Sequence, residues 1–258
     1  MDRNETHAPT DHLEKFTPDL LETGAPQQGA PQTLGRRLFC QLHVFTGCLD
    51  AAPVVEAALS SRLDAAVYAD VNDPRGVGVL VMSEDPAVFT GAARELLTRP
   101  PFSSLTPAPD FTMIGRTYAL GRERDLEDWL LNHARRNALN PANHWAVWYP
   151  LRRVGAFNRL PRQEQGRIMA EHATIGRGYG EAGKAFDIRL ECHGLDRDDN
   201  EFVLGIVGPE LYPLSKLIKD MRATRQTSEF IQSMGPFFVG KTIYQSPLPP
   251  SAKAPAGY

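Results

Sequence analysis

FDIRLECHGLDRDDNEFVLGIVG, residues 186–208, decides how the chain is read. In its first segment Phe186, Ile188, Leu190 and Cys192 alternate with Asp187, Arg189, Glu191 and His193, the period of a strand with one apolar and one charged face. NEFVLGIVG is a second strand, and LDRDD between them is a turn. The acidic turn lacks the alternating ligands, central glycine and closing glutamate of a calcium-binding EF-hand loop. Working outward, RLPRQEQGRIMAEHATIGR has helical spacing, with Pro161 suited to the first turn, and PLSKLIKDMRATRQTSEFI is a second helix. HWAVWYPLRR before them and GPFFVGKTIYQ after them are strands, so this half reads βαββαβ.

The same order precedes it: strand RLFCQLHVFTG, helix PVVEAALSSRL, two strands in AVYADVNDPRGVGVLVMS, helix DPAVFTGAARELLTR and strand PDFTMIGRTYALG. An α+β fold of two βαββαβ halves follows, with joined antiparallel sheets and helices on their outer faces. The halves span 36–120 and 144–246, and a charged, partly helical connector fills 121–143. Residues 1–35, rich in Pro, Gly and Gln, are expected to be a flexible arm, and 247–258 a disordered tail.

A hydrophobic content of 42% over 258 residues is enough for a substantial core. Net charge is −3 and the basic residues are scattered, which argues against nucleic acid as a partner. Cys40, Cys48 and Cys192 are odd in number and share no CxxC spacing, so neither a disulfide framework nor a closed zinc site is expected, and a reducing cytoplasm fits. MDRNETHAPTDHLEKF does not read as a signal peptide, and no run reaches the roughly 18 apolar residues of a membrane span. There is no GxSxG, P-loop or HExxH, and GRGYG follows a helix where a dinucleotide loop would precede one.

Two histidines compete for a chemical role. His172 lies three and four residues from Met169 and Ile168 on one side and from Ile175 and Gly176 on the other, so it faces the core side of its helix. It is either a core histidine satisfied by a carbonyl or a neutral axial ligand for iron, with Gly176 and Gly178 leaving room for a flat group or ending the helix. His193, beside Gly194 and the acidic turn, reads as a solvated turn residue. In WAVWYPLRR, Tyr149 between Trp148 and Pro150 is either a core anchor or a phenol able to give up an electron and a proton. Arg152 and Arg153 behind it are solvated or bind carboxylates.

YPLRR, LPRQEQGRIMAEHATIGRGYG, DDNEFVLGIVG and LIKDMRATRQTSEFIQSMGPFFVGK, taken in this order, resemble the chlorite dismutase superfamily, and within it most nearly the coproheme decarboxylases. The resemblance covers about residues 145–241. It implies two ferredoxin-like halves of the dimeric α/β-barrel type, a porphyrin in the C-terminal half and a homo-oligomer, usually a pentamer. It also implies His172 as the iron ligand, and Tyr149 as a redox relay in the peroxide-driven conversion of iron coproporphyrin III to haem b. Arg153 stands where such enzymes typically carry a lysine, and Arg135 and Ser228 fall at positions resembling propionate contacts.

On the strand after the histidine helix, chlorite dismutases carry an arginine and many decarboxylases a glutamine. Here that position is Asp187 if the insertion at Gly180 and Glu181 is gapped, and Ala185 if not, which disfavours chlorite chemistry. Asp187 would then be a proton acceptor for peroxide. A haem b peroxidase-like enzyme and a ferredoxin-like module without porphyrin are the alternatives.

Overall fold

The computed structural model describes residues 17–252. The chain opens with a hairpin of β1 (Glu22–Gln27) and β2 (Ala30–Leu34). Then come β3 (Phe39–Thr46), α1 (Ala52–Ser61), β4 (Asp64–Asp70), β5 (Val77–Ser83), α2 (Ala87–Thr90), α3 (Ala92–Thr98), the short β6 (Thr106–Pro107) and β7 (Met113–Arg116). After a π-helical turn, Asp128–His133, and α4 (Ala134–Ala138), the second half begins with β8 (Trp145–Arg153) and α5 (Arg162–Glu181). It continues through β9 (Phe186–Glu191), β10 (Phe202–Gly208), α6 (Leu211–Arg222), α7 (Arg225–Phe230), β11 (Ile231–Met234) and β12 (Phe238–Gln245).

Within the first half the strands lie in the order β7-β3-β5-β4, and within the second β9-β10-β8-β12. Both are ferredoxin-like antiparallel sheets. Two seams join them, β12 against β4 and β7 against β9, the latter through the pair Arg116 and Glu191. Because β10 pairs with both β8 and β9, the sheet closes into a barrel. A closed barrel has no free edge, and its strands alternate between interior and exterior.

The interior is filled by Cys40, Leu42, Val44, Ala66, Tyr68, Leu80, Met82, Trp148, Ile188, Leu190, Val203 and Phe238. Gly205 stands directly across from Trp148, and a Cβ there would come within 2.5 Å of the indole, so only glycine leaves space for that ring. VGVLVMS in β5 is a continuous apolar run because both of its faces are covered, the interior by barrel packing and the exterior by α1 and α3. Burying a valine of this kind contributes about 1.5–3 kcal/mol relative to leaving it in water. Pro150, which has no N–H, lies in β8 where its neighbour changes from β12, ending at Phe238 opposite Trp148, to β11, with Met234 opposite Leu151.

Several expectations need correction. The arm expected over 1–35 is ordered at 22–34, where β1 and β2 pair and their side chains bond to the connector; residues 1–16 lie outside the described residues. The tail expected to be disordered from residue 247 instead packs Leu248 against the core and buries Ala252; residues 253–258 lie outside the described residues. The helix expected over DPAVFTGAARELLTR is broken at Gly91, whose φ of −106° and ψ of −105° are not helical. Conversely, α5 runs through Gly176, Gly178 and Gly180 to Glu181, so these glycines do not end the helix, and Pro161 caps its start from just outside. All three cysteines are free and buried.

Candidate functional site

The register places the outer residues of three strands in rows. Tyr149 of β8 lies opposite Leu204 of β10, which lies opposite Arg189 of β9; Val147, Ile206 and Asp187 form the next row. Directly opposed residues of an antiparallel sheet share a face. The charged side of β9 therefore lies on the outer face, together with Tyr149, Phe202 and Ile206, under the helices of the second half. α6 covers the apolar part with Leu214 and Leu217. The inward stripe of α5 packs Ile168 and Met169 with Phe157 and Phe230 and sets Ile175 and Tyr179 against the apolar cluster over the sheet, with His172 between them, yet only Ile168 among its residues is fully buried. A long helix that buries so little of its inward stripe leaves His172 beside a polar surface and not inside a closed core.

The imidazole of His172 has a buried Nδ1 with no hydrogen-bond partner among the described residues. Burial lowers its pKa, with the Asp187 carboxylate opposing and Arg189 adding to the shift, so the ring is neutral near neutral pH. The carbonyl-satisfied core histidine is thus not what the structure holds. Tyr149 is 3% exposed and stacks on Phe237 at a centroid distance of 4.5 Å, from the loop between β11 and β12. Burial pushes its phenol above the usual range, Asp187 adds to this and Arg222 offsets it. Asp187 lies on this face, half exposed, whereas Ala185 precedes the strand and is buried against the apolar cluster.

Three residues not singled out from the sequence complete this surface. Arg189 brings Nε to 2.9 Å from Oδ2 of Asp187, but its N–H is not aligned with that oxygen and has no other acceptor among the described residues. The guanidinium lies over the Trp129 ring at 4.8 Å, and Trp129 stacks on His133 at 4.4 Å. Burial lowers the His133 imidazole, opposed by Asp187. The Trp129 indole donates to the Tyr118 carbonyl, and Asn137 donates to the Asp187 carbonyl, fastening the connector to β9. Burial also raises the Tyr118 phenol, whose charged neighbours include Arg189, Arg153 and Asp187. Asp187 is therefore the electrostatic neighbour common to His172, Tyr149, His133 and Tyr118. The alternation of FDIRLECHG already put Arg189 on the face of Asp187, and Trp129 and His133 are spaced i, i+4, so both signals were present in the sequence.

The expected carboxylate anchors fare differently. Arg153 lies at the end of the same face, but it is held 3.3 Å from Glu201 between the rings of Phe157 and Phe202. Arg135 is not at the site: it is buried, paired with Asp64 at 2.9 Å and Glu84 at 3.5 Å in the first half, and donates to the Leu131 carbonyl. The guanidinium is thus engaged by two carboxylates of the first half, apart from the face of His172, and not at the propionate contact that the resemblance implies. Ser228 is exposed on α7 and its hydroxyl donates back to the Thr224 carbonyl. His193 is exposed, and Asp196 organises the neighbouring turn by accepting from the Asp198 amide and from Asn200.

Two ferredoxin-like sheets closed into one barrel, with a histidine-bearing helix over the outer face of the second, define an α+β barrel whose polar outer surface lies in its second half. A sequence pattern described as Chlorite dismutase matches residues 110–243, and the chain belongs to that family. Over 104 residues it is 32% identical to the coproheme decarboxylase of Mycolicibacterium smegmatis, a stretch that is 40% of this chain and 42% of that protein. The match therefore spans less than half the length of that relative. A structure described as a novel heme-binding protein from Thermus thermophilus superposes with a TM-score of 0.61 at 18% identity, covering 80% of this chain and 91% of that one. The chlorite dismutase of Candidatus Nitrospira defluvii in complex with imidazole gives 0.59 at 14%, covering 82% and 92%. At such identities the likeness concerns the fold.

Proposed function

We propose that the outer face of the second half binds an iron porphyrin through His172, and that the chain acts as a coproheme decarboxylase-like enzyme in a reducing, cytoplasmic setting as a homo-oligomer. The observation that carries this is the buried, unpartnered Nδ1 of His172 beside a surface on which Asp187 is shared by two histidines and two phenols. The residues present fit the group: a neutral imidazole on a rigid helix and apolar walls from Ile175, Leu204 and Ile206. When bound, an iron porphyrin would supply the redox centre through which hydrogen peroxide acts as oxidant.

The chain's own residues then divide the work. His172 holds the iron. Tyr149, kept protonated by burial, is positioned to give up an electron and a proton, and Arg222 beside it offers charge to a propionate. Asp187 and His133 are acceptors for protons of peroxide. Each of the two reacting propionates would lose its carboxylate as carbon dioxide together with two electrons and one proton, leaving a vinyl group, and one hydrogen peroxide would take up those two electrons with that proton and a second one from solvent to become two waters. Partial identity to the coproheme decarboxylase, over 104 residues, supports the reading.

A second reading, a haem b peroxidase-like enzyme, is favoured by one observation: Arg153 and Arg135 are already committed to carboxylates of the protein, leaving fewer cations for a four-propionate substrate. Titration with iron coproporphyrin III and with haem b, followed by peroxide and mass analysis of the porphyrin, decides. The decarboxylase reading predicts tighter binding of coproporphyrin and conversion through a three-propionate species. Binding without conversion would sink that activity, and preference for haem b with oxidation of external donors would favour the second reading.

A further inference from the structure

Among the described residues the hairpin of β1 and β2 pairs only with itself, and the barrel closes without it. It is nevertheless fastened to the segment that carries Trp129 and His133. The Gln32 amide reaches the carbonyls of Ala25 at 2.5 Å, Glu123 at 3.2 Å and Arg124 at 3.0 Å, and its oxygen accepts from the Leu126 amide at 3.1 Å. Gln27 donates to the Arg124 carbonyl at 2.7 Å, and the Ala25 amide to that of Glu123 at 2.9 Å. The two backbones lie almost in contact: a Cβ on Gly24 would come within 2.9 Å of the Glu123 carbonyl oxygen and 3.0 Å of the Leu126 side chain.

A second attachment is ionic. One Glu22 oxygen accepts from the Ala119 amide at 3.0 Å, and the other lies 3.5 Å from Arg116 and 3.6 Å from Arg37. Arg116 is 2.9 Å from Glu191, on the strand that carries Asp187 and Arg189. Beneath these bonds Leu34 packs with Leu126, Leu130, Leu131 and Trp129. The segment so held contains the π-helical turn, a geometry that persists only where surroundings support it.

We propose that the hairpin is a brace for the site, with Gln32 and Glu22 as positioning residues that hold residues 118–133 so that Trp129 and His133 lie against Arg189 and Asp187. This rests on the porphyrin reading of that face. The brace acts through Trp129, whose ring is fixed at its indole N–H by the Tyr118 carbonyl and on its face by Arg189. Loosening the connector frees that ring, and with it the wall of the site.

The test uses the full chain with Gln32→Met, which keeps length and loses the amide, with Glu22→Gln, and with Leu49→Ala as a control at an exposed leucine of the first half. Amide hydrogen exchange should quicken about tenfold or more over 118–133 while β3, β5 and β8 stay as in the native chain. Affinity for iron coproporphyrin III, read by its absorbance, should weaken several-fold, and Gln32→Met combined with Trp129→Phe should weaken it no further than the larger single change. Unchanged exchange in the connector, exchange raised equally across the barrel, native affinity, or additive losses would each overturn the brace. If the native chain takes up no iron porphyrin, the porphyrin reading fails by itself, and the exchange comparison still decides whether Gln32 and Glu22 hold the connector.

Discussion

The two halves share one topology and differ in their outer faces. In the first half Phe45, Val67, Val77, Val79 and Val81 meet Val54, Ala58 and Ala93 of the covering helices, and the surface is sealed. In the second half the corresponding surface is apolar over β8 and β10 but carries Asp187, Arg189 and Glu191 on β9, beneath a helix that fully buries a single residue. One half uses its outer face as core and the other keeps it as a working surface. The fold supplies the same platform twice, and the charged residues of one strand set the second apart from the first.

The contrast can be broken most forcefully by exchanging the character of the two faces. Val79→Asp places a carboxylate in the sealed face without a partner and should cost about 3–5 kcal/mol or more. Asp187→Val should stay within about 1 kcal/mol of the native chain, because that carboxylate is half exposed and its pairing is weak. Urea unfolding of both variants checks the pair; equal losses would erase the distinction. Tyr149→Phe should abolish porphyrin conversion while leaving porphyrin affinity within about twofold, since the ring stack on Phe237 survives. An unimpaired variant would remove the phenol from the reaction.

Smaller effects sharpen the picture of the barrel that both faces share. Gly205→Ala drives a methyl group into Trp148 and should destabilise by about 1–3 kcal/mol in thermal unfolding. Burial pushes the thiols of Cys40 and Cys192 up to about 12. The folded thiols keep their protons while unfolded ones release them from about pH 8.5, so the unfolded chain binds fewer protons and stability falls as pH rises through that window. Cys40→Ala should flatten this alkaline slope, measured by urea unfolding between about pH 8 and 10.5, whatever its effect on stability at neutral pH.

The alternation of residues 186–193 and the helical spacing around His172 were legible because period and polarity are local properties, and both appear in the structure as read. What escaped depends on distant partners. GAPQQGAPQ has the composition of a flexible arm, yet Gln32 is fixed by carbonyls more than ninety residues away. The resemblance set Arg135 among propionate contacts, and its pairing with Asp64, a residue of the first half about seventy positions earlier, has no local signature in the connector. The run GRGYG stays helical because α6 packs beside it, Met221 meeting Gly176, a tertiary contact that overrides the local preference of glycine. The π-helical turn bearing His133 follows from packing against β9 and the hairpin and has no residue signature of its own.

Everything proposed for the outer face of the second half depends on His172 holding an iron porphyrin there. Absorbance titration of the native chain, His172→Ala and His133→Ala with iron coproporphyrin III tests it most directly. The native protein should give a Soret band saturating at one porphyrin per chain, retained in His133→Ala, and lost or clearly shifted in His172→Ala. A band in His172→Ala identical to the native one would contradict it.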